Sequence, residues 1–289
     1  MFGPNTYFTD NVVINGSHRD QAFYKLFGEV KELFIKKFDL DDYDVIFIPG
    51  SATVGVEAVM FSMNYNITVI GNDGSFKKRW TSMLENYPKP AGCPDVDLCC
   101  RLESSVSAPF YKEGCVLDAV SAFPYYSTPK DTRIFCTCLN KQLGSYTGLA
   151  VVCVKKDQWK YCVDSDKISY LNLRIFKDWG DKNQTPYTTP TYIYEHFHKV
   201  LKNFDLDQFR ERINKVSDLL CRTIPEEFFV GEKRCPVLTL KKEAFPDKSF
   251  PEKCDLYGYW TNRPYYQIYT YTSPYEDYEE FCRQYKCLF

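Results

Sequence analysis

Short apolar runs alternate with helical patterns along the first half of the chain, and this alternation is the strongest constraint on its fold. Residues 20–38 carry apolar side chains at helical spacing, and a short apolar run follows at 45–49. Strands that alternate with helices predict an α/β fold, with a mainly parallel central sheet and helices on both faces. Further helices are predicted at 53–63 and 77–87, and further strands at 66–71, 98–103, 115–120, 134–138 and 149–154.

The pattern changes after the proline-containing stretch that ends near residue 190. Two amphipathic helices are predicted at 191–203 and 205–223, and strand patterns and a closing helix follow. The strands are expected at 237–241, 257–260 and 266–273, and the helix at 275–286. We therefore expect an N-terminal arm (1–15), a large domain (16–195) and a smaller C-terminal α+β domain (196–289).

Composition argues against several classes of protein, although a nucleic-acid partner is not excluded. The formal net charge of −2 gives no basic footprint, so a nucleic-acid partner is not expected. No apolar run is long enough for a membrane span, and no secretory signal is recognised at the N terminus, which predicts a cytoplasmic protein. The 13 cysteines lack a framework spacing and are expected to be reduced. With 3 histidines, a metal centre is not expected either.

One turn has the residues of a phosphate-binding site. Ser51, Ala52 and Thr53 follow Gly50, between a predicted buried strand and a predicted helix. The free N–H groups at such a helix start, together with two hydroxyls, could bind a phosphate. The same residues also fit an ordinary helix N-cap, so the turn alone does not decide between the two.

A carboxylate and an amine follow the ends of two predicted strands. Asp118 ends the strand at 115–120, and Lys141 comes just after the strand at 134–138. Ligands of open α/β sheets bind at such strand ends. A desolvated lysine has a lowered pKa and can act as a nucleophile or form a Schiff base. Asp118 could instead cap a loop, and Phe76, a nearby flat aromatic, could be a core residue.

Pyridoxal 5'-phosphate requires four groups from a protein, namely a phosphate-binding turn, an aromatic ring, a carboxylate and a lysine. The sequence offers all four. The sequence resembles the class V aminotransferases of fold type I, which include phosphoserine, alanine–glyoxylate and aminoethylphosphonate aminotransferases. The similar segments occur in the order of that family. They are GPN (3–5), GSHR (16–19) followed by Phe23, PGSATVGVEAV (49–59), IGNDGSFKKRW (70–80), LESSVSAP (102–109), VLDAVSAF (116–123), CTCLNKQLGSYTGLAVV (136–152) and PYTTPT (186–191).

The resemblance implies a role for each matching residue. Lys141 would form the Schiff base and move the proton, Asp118 would pair with the ring nitrogen, and Phe76 would stack on the ring. Further cofactor contacts are implied for Ser51, Ala52, Thr53, Ser105 and Asn140, and, from a neighbouring subunit, for Tyr187 and Thr189. Substrate contacts are implied for His18, Arg19, Arg263 and Gln267. A homodimer with shared active sites, acting on a small-molecule amino donor and acceptor, is therefore expected.

The chain departs from the family where the substrate carboxylate is usually bound. Gln267 stands at the position of an arginine, and Arg263 lies four residues earlier. An aminotransferase that uses a 2-oxo acid is the leading hypothesis. Two alternatives stay open: a decarboxylase or lyase, acting on an amino acid attached to a larger molecule such as a modified nucleotide in DNA, and a non-catalytic protein that binds the cofactor or a partner.

Overall fold

The computed structural model describes residues 17–259 and 263–288. The predicted arm at 1–15 and the segment GPN lie outside these residues. The helices are α1 (Gln21–Lys37), α2 (Ala52–Ser62), α3 (Ser75–Leu84), α4 (Leu173–Gly180), α5 (Thr191–Asn203), α6 (Leu206–Thr223), α7 (Phe250–Lys253) and α8 (Tyr275–Lys286). The strands are β1 (Tyr43–Pro49), β2 (Asn66–Ile70), β3 (Asp95–Cys100), β4 (Leu102–Glu103), β5 (Ala108–Pro109), β6 (Val116–Asp118), β7 (Ile134–Cys138), β8 (Leu149–Lys155), β9 (Phe229–Val230), β10 (Val237–Lys241) and β11 (Tyr265–Tyr269).

The central sheet has six strands in the order β1-β8-β7-β6-β3-β2. The pairs β2–β3, β3–β6 and β6–β7 are parallel, whereas β8 runs antiparallel to both of its neighbours, β1 and β7. Five of the six strands therefore run in one direction, and the predicted, mainly parallel sheet is confirmed. Every residue of β7 is buried, as expected for a strand that is covered on both faces.

Helices cover both faces of this sheet. Alternate side chains of β1 point to opposite sides: Val45 and Phe47 belong to one apolar cluster, and Ile46 and Ile48 to another. The first cluster contains buried residues of α1 and α5, and the second contains buried residues of α2, α3 and α4. The predicted layers of helix, sheet and helix are therefore present.

The C-terminal part forms a separate antiparallel sheet, β11-β10-β9, with a third apolar cluster that includes residues of α6 and α8. The predicted boundary between residues 195 and 196 falls inside α5. Ile193, Tyr194, Phe197 and Leu201 of this helix all pack in the first cluster of the large sheet, so the change of core comes after α5. The division into two domains stays a prediction.

Three local predictions differ from the structure. The predicted strand at 98–103 divides into β3 and β4, and β4 pairs with β5 in a separate two-stranded sheet. Of the predicted strand at 257–260, the described residues 257–259 form one bridge, between Tyr257 and Gln267, and residue 260 lies outside the described part of the chain. The helix α4 has no counterpart among the predicted elements, although Asn172 caps its N terminus by accepting a hydrogen bond from the N–H of Arg174 at 2.9 Å.

All 13 cysteines lie in the described part of the chain and none forms a disulfide. Across residues 17–259 and 263–288, none of the helices combines the length and apolarity that crossing a bilayer requires.

Phe34 is a sensitive test of the first core. Its side chain is 0% exposed and its ring meets those of Phe38, Phe47, Phe123 and Phe197 at centroid distances of 5.0 to 6.3 Å. We expect Phe34→Ala to lower the free energy of unfolding by about 3–5 kcal/mol, because it leaves a cavity among packed rings. Urea denaturation measures this change.

Ile168 provides the control for this prediction, since it is 87% exposed. Ile168→Ala should change the free energy of unfolding by less than about 0.5 kcal/mol. Equal destabilisation by the two substitutions would contradict the described core.

Candidate active site

Asp118 and Lys141 lie at the carboxyl edge of the central sheet. Asp118 is the last residue of β6, and it is paired with Cys136 of the parallel strand β7. Lys141 follows the end of β7 by three residues. Because parallel strands end at the same edge, the two side chains are brought together there. The ammonium Nζ of Lys141 donates a hydrogen bond to Ser121 Oγ at 3.0 Å.

The carboxylate of Asp118 is held by donors on both oxygens. Oδ2 accepts a hydrogen bond from Trp80 Nε1 at 2.9 Å and lies 3.5 Å from Cys100 Sγ. Oδ1 accepts from the N–H of Val120 at 3.0 Å. Burial raises the pKa of Asp118, whereas the hydrogen bonds from Val120 and Trp80 and the charge of Lys141 oppose that shift. The side chain is thus fixed in orientation while its charge is poorly solvated.

The pKa of Lys141 is shifted in the opposite direction. Burial lowers the pKa of its ammonium group, and the positive charges of Arg263 and Arg79 add to this effect. The nearby groups of Cys138 and Asp118 partly raise the pKa again. A lowered pKa gives the amine a larger neutral fraction near neutral pH, which is the form that attacks a carbonyl carbon.

The first two turns of α3 lie against this pair. The Nζ atom of Lys141 is 5.8 Å from the centre of the Phe76 ring, and the guanidinium carbon of Arg79 is 5.3 Å from the same ring. Trp80 is one helical turn after Phe76, so both aromatic side chains share one face of the helix. The predicted grouping of Phe76, Asp118 and Lys141 is thus present, with Trp80 as an additional member.

The N terminus of α3 is held by a neighbouring loop. Glu103 Oε2 accepts hydrogen bonds from the N–H groups of Phe76 and Lys77, both at 3.1 Å, and Ser105 Oγ accepts from the N–H of Ser75 at 3.0 Å. Glu103 therefore acts as a helix cap from a distant segment. Ser105, for which a cofactor contact is implied, is in this structure bonded to α3 and to Glu103.

The predicted phosphate turn forms the start of α2. Ser51 is the N-cap, and the N–H of Gly50 donates to the carbonyl of Gly148 at 2.8 Å. Gly50 has φ +141°, a conformation that favours glycine. Since β1 runs in the same direction as β7, this helix start lies at the same edge of the sheet as Asp118. The first N–H groups of a helix have no intrahelical acceptor and can bind an anion.

A cavity of about 320 Å³ opens beside the start of α3. Gln267 belongs to its wall but is only 2% exposed. Its Nε2 donates to the carbonyl of Ser104 and to Thr239 Oγ1, which lies at 3.4 Å. The donors of this glutamine are thus already engaged. The cavity is lined by Asp73, Gly74, Ser75, Lys78, Ser105, Val106, Arg263, Pro264, Tyr265 and Gln267.

His18 and Arg19, with implied substrate contacts, do not line this cavity. Arg19 donates to the carbonyls of Thr185 and Pro186 at 2.9 and 3.3 Å, which ties the start of α1 to the segment at 185–190. Burial and the charge of Arg19 lower the pKa of His18. The implied role of both residues in substrate binding stays a prediction.

Tyr187 and Thr189, implied to reach a neighbouring subunit, have contacts within their own chain. Tyr187 Oη donates to the carbonyl of Ser169 at 3.1 Å, and its ring stacks on Tyr170 at a centroid distance of 4.5 Å. Thr189 is buried, with Oγ1 3.5 Å from Tyr194 Oη. Asn140, implied to bind phosphate, is partly buried directly before Lys141.

Comparisons with known proteins identify the fold. Neither a protein-family model nor a curated protein sequence matches the chain. Among solved structures, an aspartate aminotransferase of subgroup IV from Thermus thermophilus is similar with a TM-score of 0.79 and 14% identity, over 96% of this chain and 94% of that one. An alanine–glyoxylate aminotransferase from Nostoc sp. is similar with a TM-score of 0.76 and 17% identity, over 95% of this chain and 90% of that one.

A phosphoserine aminotransferase from Trichomonas vaginalis, described with bound PLP, is similar with a TM-score of 0.75 and 15% identity, over 94% of this chain and 90% of that one. The chain therefore has the fold of the fold type I aminotransferases over most of its length. The resemblance found in the sequence is confirmed at the level of the fold.

Gly74 tests the contact between Glu103 and α3. A Cβ atom at residue 74 would overlap the Cγ and Cδ atoms of Glu103, whose buried side chain cannot move without breaking its bonds to α3. Gly74→Ala should lower the free energy of unfolding by about 1–3 kcal/mol. Gly180 is the matched control, since a Cβ there meets no atom within 4 Å. Gly180→Ala should be neutral or stabilising by up to about 1 kcal/mol.

Lys141 should react with amine-directed reagents at lower pH than an ordinary lysine. Competitive labelling across a pH series, read by peptide mass spectrometry, should give an inflection for Lys141 below 10.5. Asp118→Asn should lower that inflection further, because the carboxylate is one of the groups that raise the pKa of Lys141. Asp207→Asn, at the exposed start of α6, should leave it unchanged. An inflection at or above 10.5 would contradict the described burial.

Proposed function

We propose that the chain is a pyridoxal phosphate-dependent aminotransferase, which moves an amino group between an amino-bearing small molecule and a 2-oxo acid. One observation carries the proposal. In a fold shared with aminotransferases, Lys141, Asp118 and Phe76 meet at the carboxyl edge of the sheet. These are the three side-chain types that such a cofactor needs on its aldehyde, its ring nitrogen and its ring face.

The residues present fit the cofactor. Asp118 is a buried carboxylate whose ionised form is disfavoured by desolvation, so a cationic ring N–H would be a favourable partner for it. The start of α2 offers N–H groups and the hydroxyls of Ser51 and Thr53 for a phosphate. When bound, pyridoxal phosphate supplies an electron sink that stabilises negative charge on the substrate carbon beside the amine.

Each side chain then has a distinct task. Lys141 provides a neutral amine at Nζ, which can form a covalent bond with the cofactor and later carry a proton to and from the substrate carbon. Ser121 Oγ, 3.0 Å from Nζ, orients that amine. Asp118 would keep a proton on the ring nitrogen, while Trp80 and Val120 hold the carboxylate in place. Phe76 would cover one face of the ring.

Substrate binding is assigned to the cavity beside α3. Arg263 lies in its wall and can bind a carboxylate through two parallel hydrogen bonds. Gln267 is less suited to this role, because its N–H donors are engaged with Ser104 and Thr239. We therefore place the carboxylate anchor at Arg263.

The proposal includes a homodimer, supported by the resemblance of residues 186–191 to an element that contacts a neighbouring subunit. In that assembly Tyr187 and Thr189 would exchange their contacts with Ser169 and Tyr194 for the phosphate of the other site. Light scattering during size-exclusion chromatography measures the mass of the assembly directly.

The free thiols of the cysteines support the predicted cytoplasmic location.

The test of the proposed function uses the covalent bond to Lys141. Borohydride treatment of the protein with pyridoxal phosphate should add the cofactor mass to the peptide that contains Lys141. Lys141→Ala should abolish this product and the visible absorbance of the cofactor bound to the lysine. Lys36→Ala, on the exposed side of α1, should retain both. Fixation of the cofactor on a different lysine would refute the assignment.

The reaction type is decided by the products. With an amino acid and a 2-oxo acid present, we expect a new amino acid and a new 2-oxo acid in equal amounts. Release of carbon dioxide without amino transfer would favour the decarboxylase alternative over the proposed reaction.

A further inference from the structure

A second cavity, of about 250 Å³, is separate from the candidate active site. Its walls come from the turn after Lys141, from α5, from α6 and from the segment after β11, and none of its described lining residues lines the cavity beside α3. We propose that this second cavity binds a compact molecule that has an apolar ring and one anionic group.

The cavity lies where two apolar cores meet. Leu143 and Val200 pack in the first cluster of the large sheet. Phe209 and Tyr271 belong to a different cluster, which includes residues of α6, β10 and β11. Ligand cavities are common at boundaries between separately packed cores, because the two surfaces leave a concave gap there. The position of this cavity therefore favours a ligand site.

Aromatic rings form one side of the cavity. The ring centroids of Phe204 and Phe209 are 5.2 Å apart, and those of Phe209 and Tyr271 are 6.3 Å apart. Phe204 and Phe209 are only partly buried, so the chain leaves part of each ring uncovered. An apolar cavity of about 150 Å³ holds a benzene molecule, so a volume of about 250 Å³ has room for one ring and a small charged group.

The charges in the wall define the polar part of the ligand. Lys199 and Arg212 line the cavity, whereas no described aspartate or glutamate does. No described carboxylate lies within 4.0 Å of the charged nitrogens of these two residues. Arg212 Nη2 donates to the carbonyl of Ser273, which orients the guanidinium group without neutralising it. An anionic group is thus the electrostatic complement of this wall.

The wall also includes part of the support of the reactive lysine. The N–H of Gly144 donates to the carbonyl of Lys141 at 3.0 Å. Gln142 Nε2 donates to the carbonyl of Ser121 at 2.7 Å, and the hydroxyl of this serine accepts from Lys141 Nζ. Gly144 and Gln142 line the cavity but Lys141 does not. A molecule bound there would therefore contact the residues that support the amine and not the amine itself.

Titration calorimetry of the protein without cofactor tests the proposal, with benzoate as the probe and benzyl alcohol as its uncharged counterpart. We expect one site per chain for benzoate, and binding of benzyl alcohol that is weaker by about tenfold or more. Phe209→Ala should weaken the binding of both probes, because it removes a ring from the wall.

The charge of the wall is tested separately. Arg212→Gln should weaken benzoate binding by about tenfold and leave benzyl alcohol unaffected, and Lys199→Gln should act in the same direction. Arg222→Gln is the matched control, since this arginine is exposed on the same helix and does not line the cavity. It should leave the binding of both probes unchanged.

Two further measurements separate this cavity from the candidate active site, where Arg263 can also bind a carboxylate. Arg263→Gln should leave benzoate binding unchanged. Hydrogen exchange followed by mass spectrometry should show that benzoate slows exchange in peptides that contain residues 142–145 and 199–212, and not in the loop at 103–107.

The inference is overturned if benzoate does not bind with a Kd below about 10 mM. Loss of benzoate binding in Arg263→Gln would overturn it too, and so would binding that Arg212→Gln, Lys199→Gln and Phe209→Ala all leave unchanged. The cofactor takes part in none of these measurements, so their outcome does not depend on the proposed function.

Discussion

The candidate site depends on one electrostatic arrangement, a buried carboxylate and a buried amine at the ends of two neighbouring parallel strands. Burial shifts the pKa of Asp118 upward and that of Lys141 downward, and each charge opposes the shift of the other. Removing one partner would leave an uncompensated group in a poorly solvated place. A ligand that offers a cation to Asp118 and a carbonyl carbon to Lys141 would relieve this conflict, and the proposed cofactor has both groups.

The small C-terminal sheet contributes to the same arrangement through the loop at 103–107. Ser107 Oγ donates to the carbonyl of Val237 at 2.6 Å, and Gln267 Nε2 donates to the carbonyl of Ser104. This loop in turn holds the N terminus of α3 through Glu103 and Ser105. Since α3 carries both Phe76 and Trp80, the residue proposed to stack on the cofactor and the donor to Asp118 are positioned by contacts that begin in the C-terminal part.

The ends of the strands could be predicted from the sequence, because apolar runs and their limits are local signals. This is why Asp118, Lys141 and the turn at 50–53 could be singled out. Trp80 could also have been found, since it lies one helical turn after Phe76. The roles of Glu103 and Ser105 could not, because they arise from contacts with a helix that begins 28 residues before Glu103.

The predicted boundary between residues 195 and 196 falls inside α5, and the division into two domains stays a prediction. The amphipathic pattern of α5 shows that one face is buried but not which core covers it.

The carboxylate anchor shows how a departure from a family pattern can be interpreted. A glutamine in β11 could replace an arginine only if its N–H donors faced the substrate, and here they bind Ser104 and Thr239 instead. Gln267 is therefore a structural link between β11 and the loop at 103–107, and Arg263, in the wall of the same cavity, is the residue that we propose as the carboxylate anchor. Such an anchor would stand on the segment before β11, two residues from the start of the strand, and not in the strand itself.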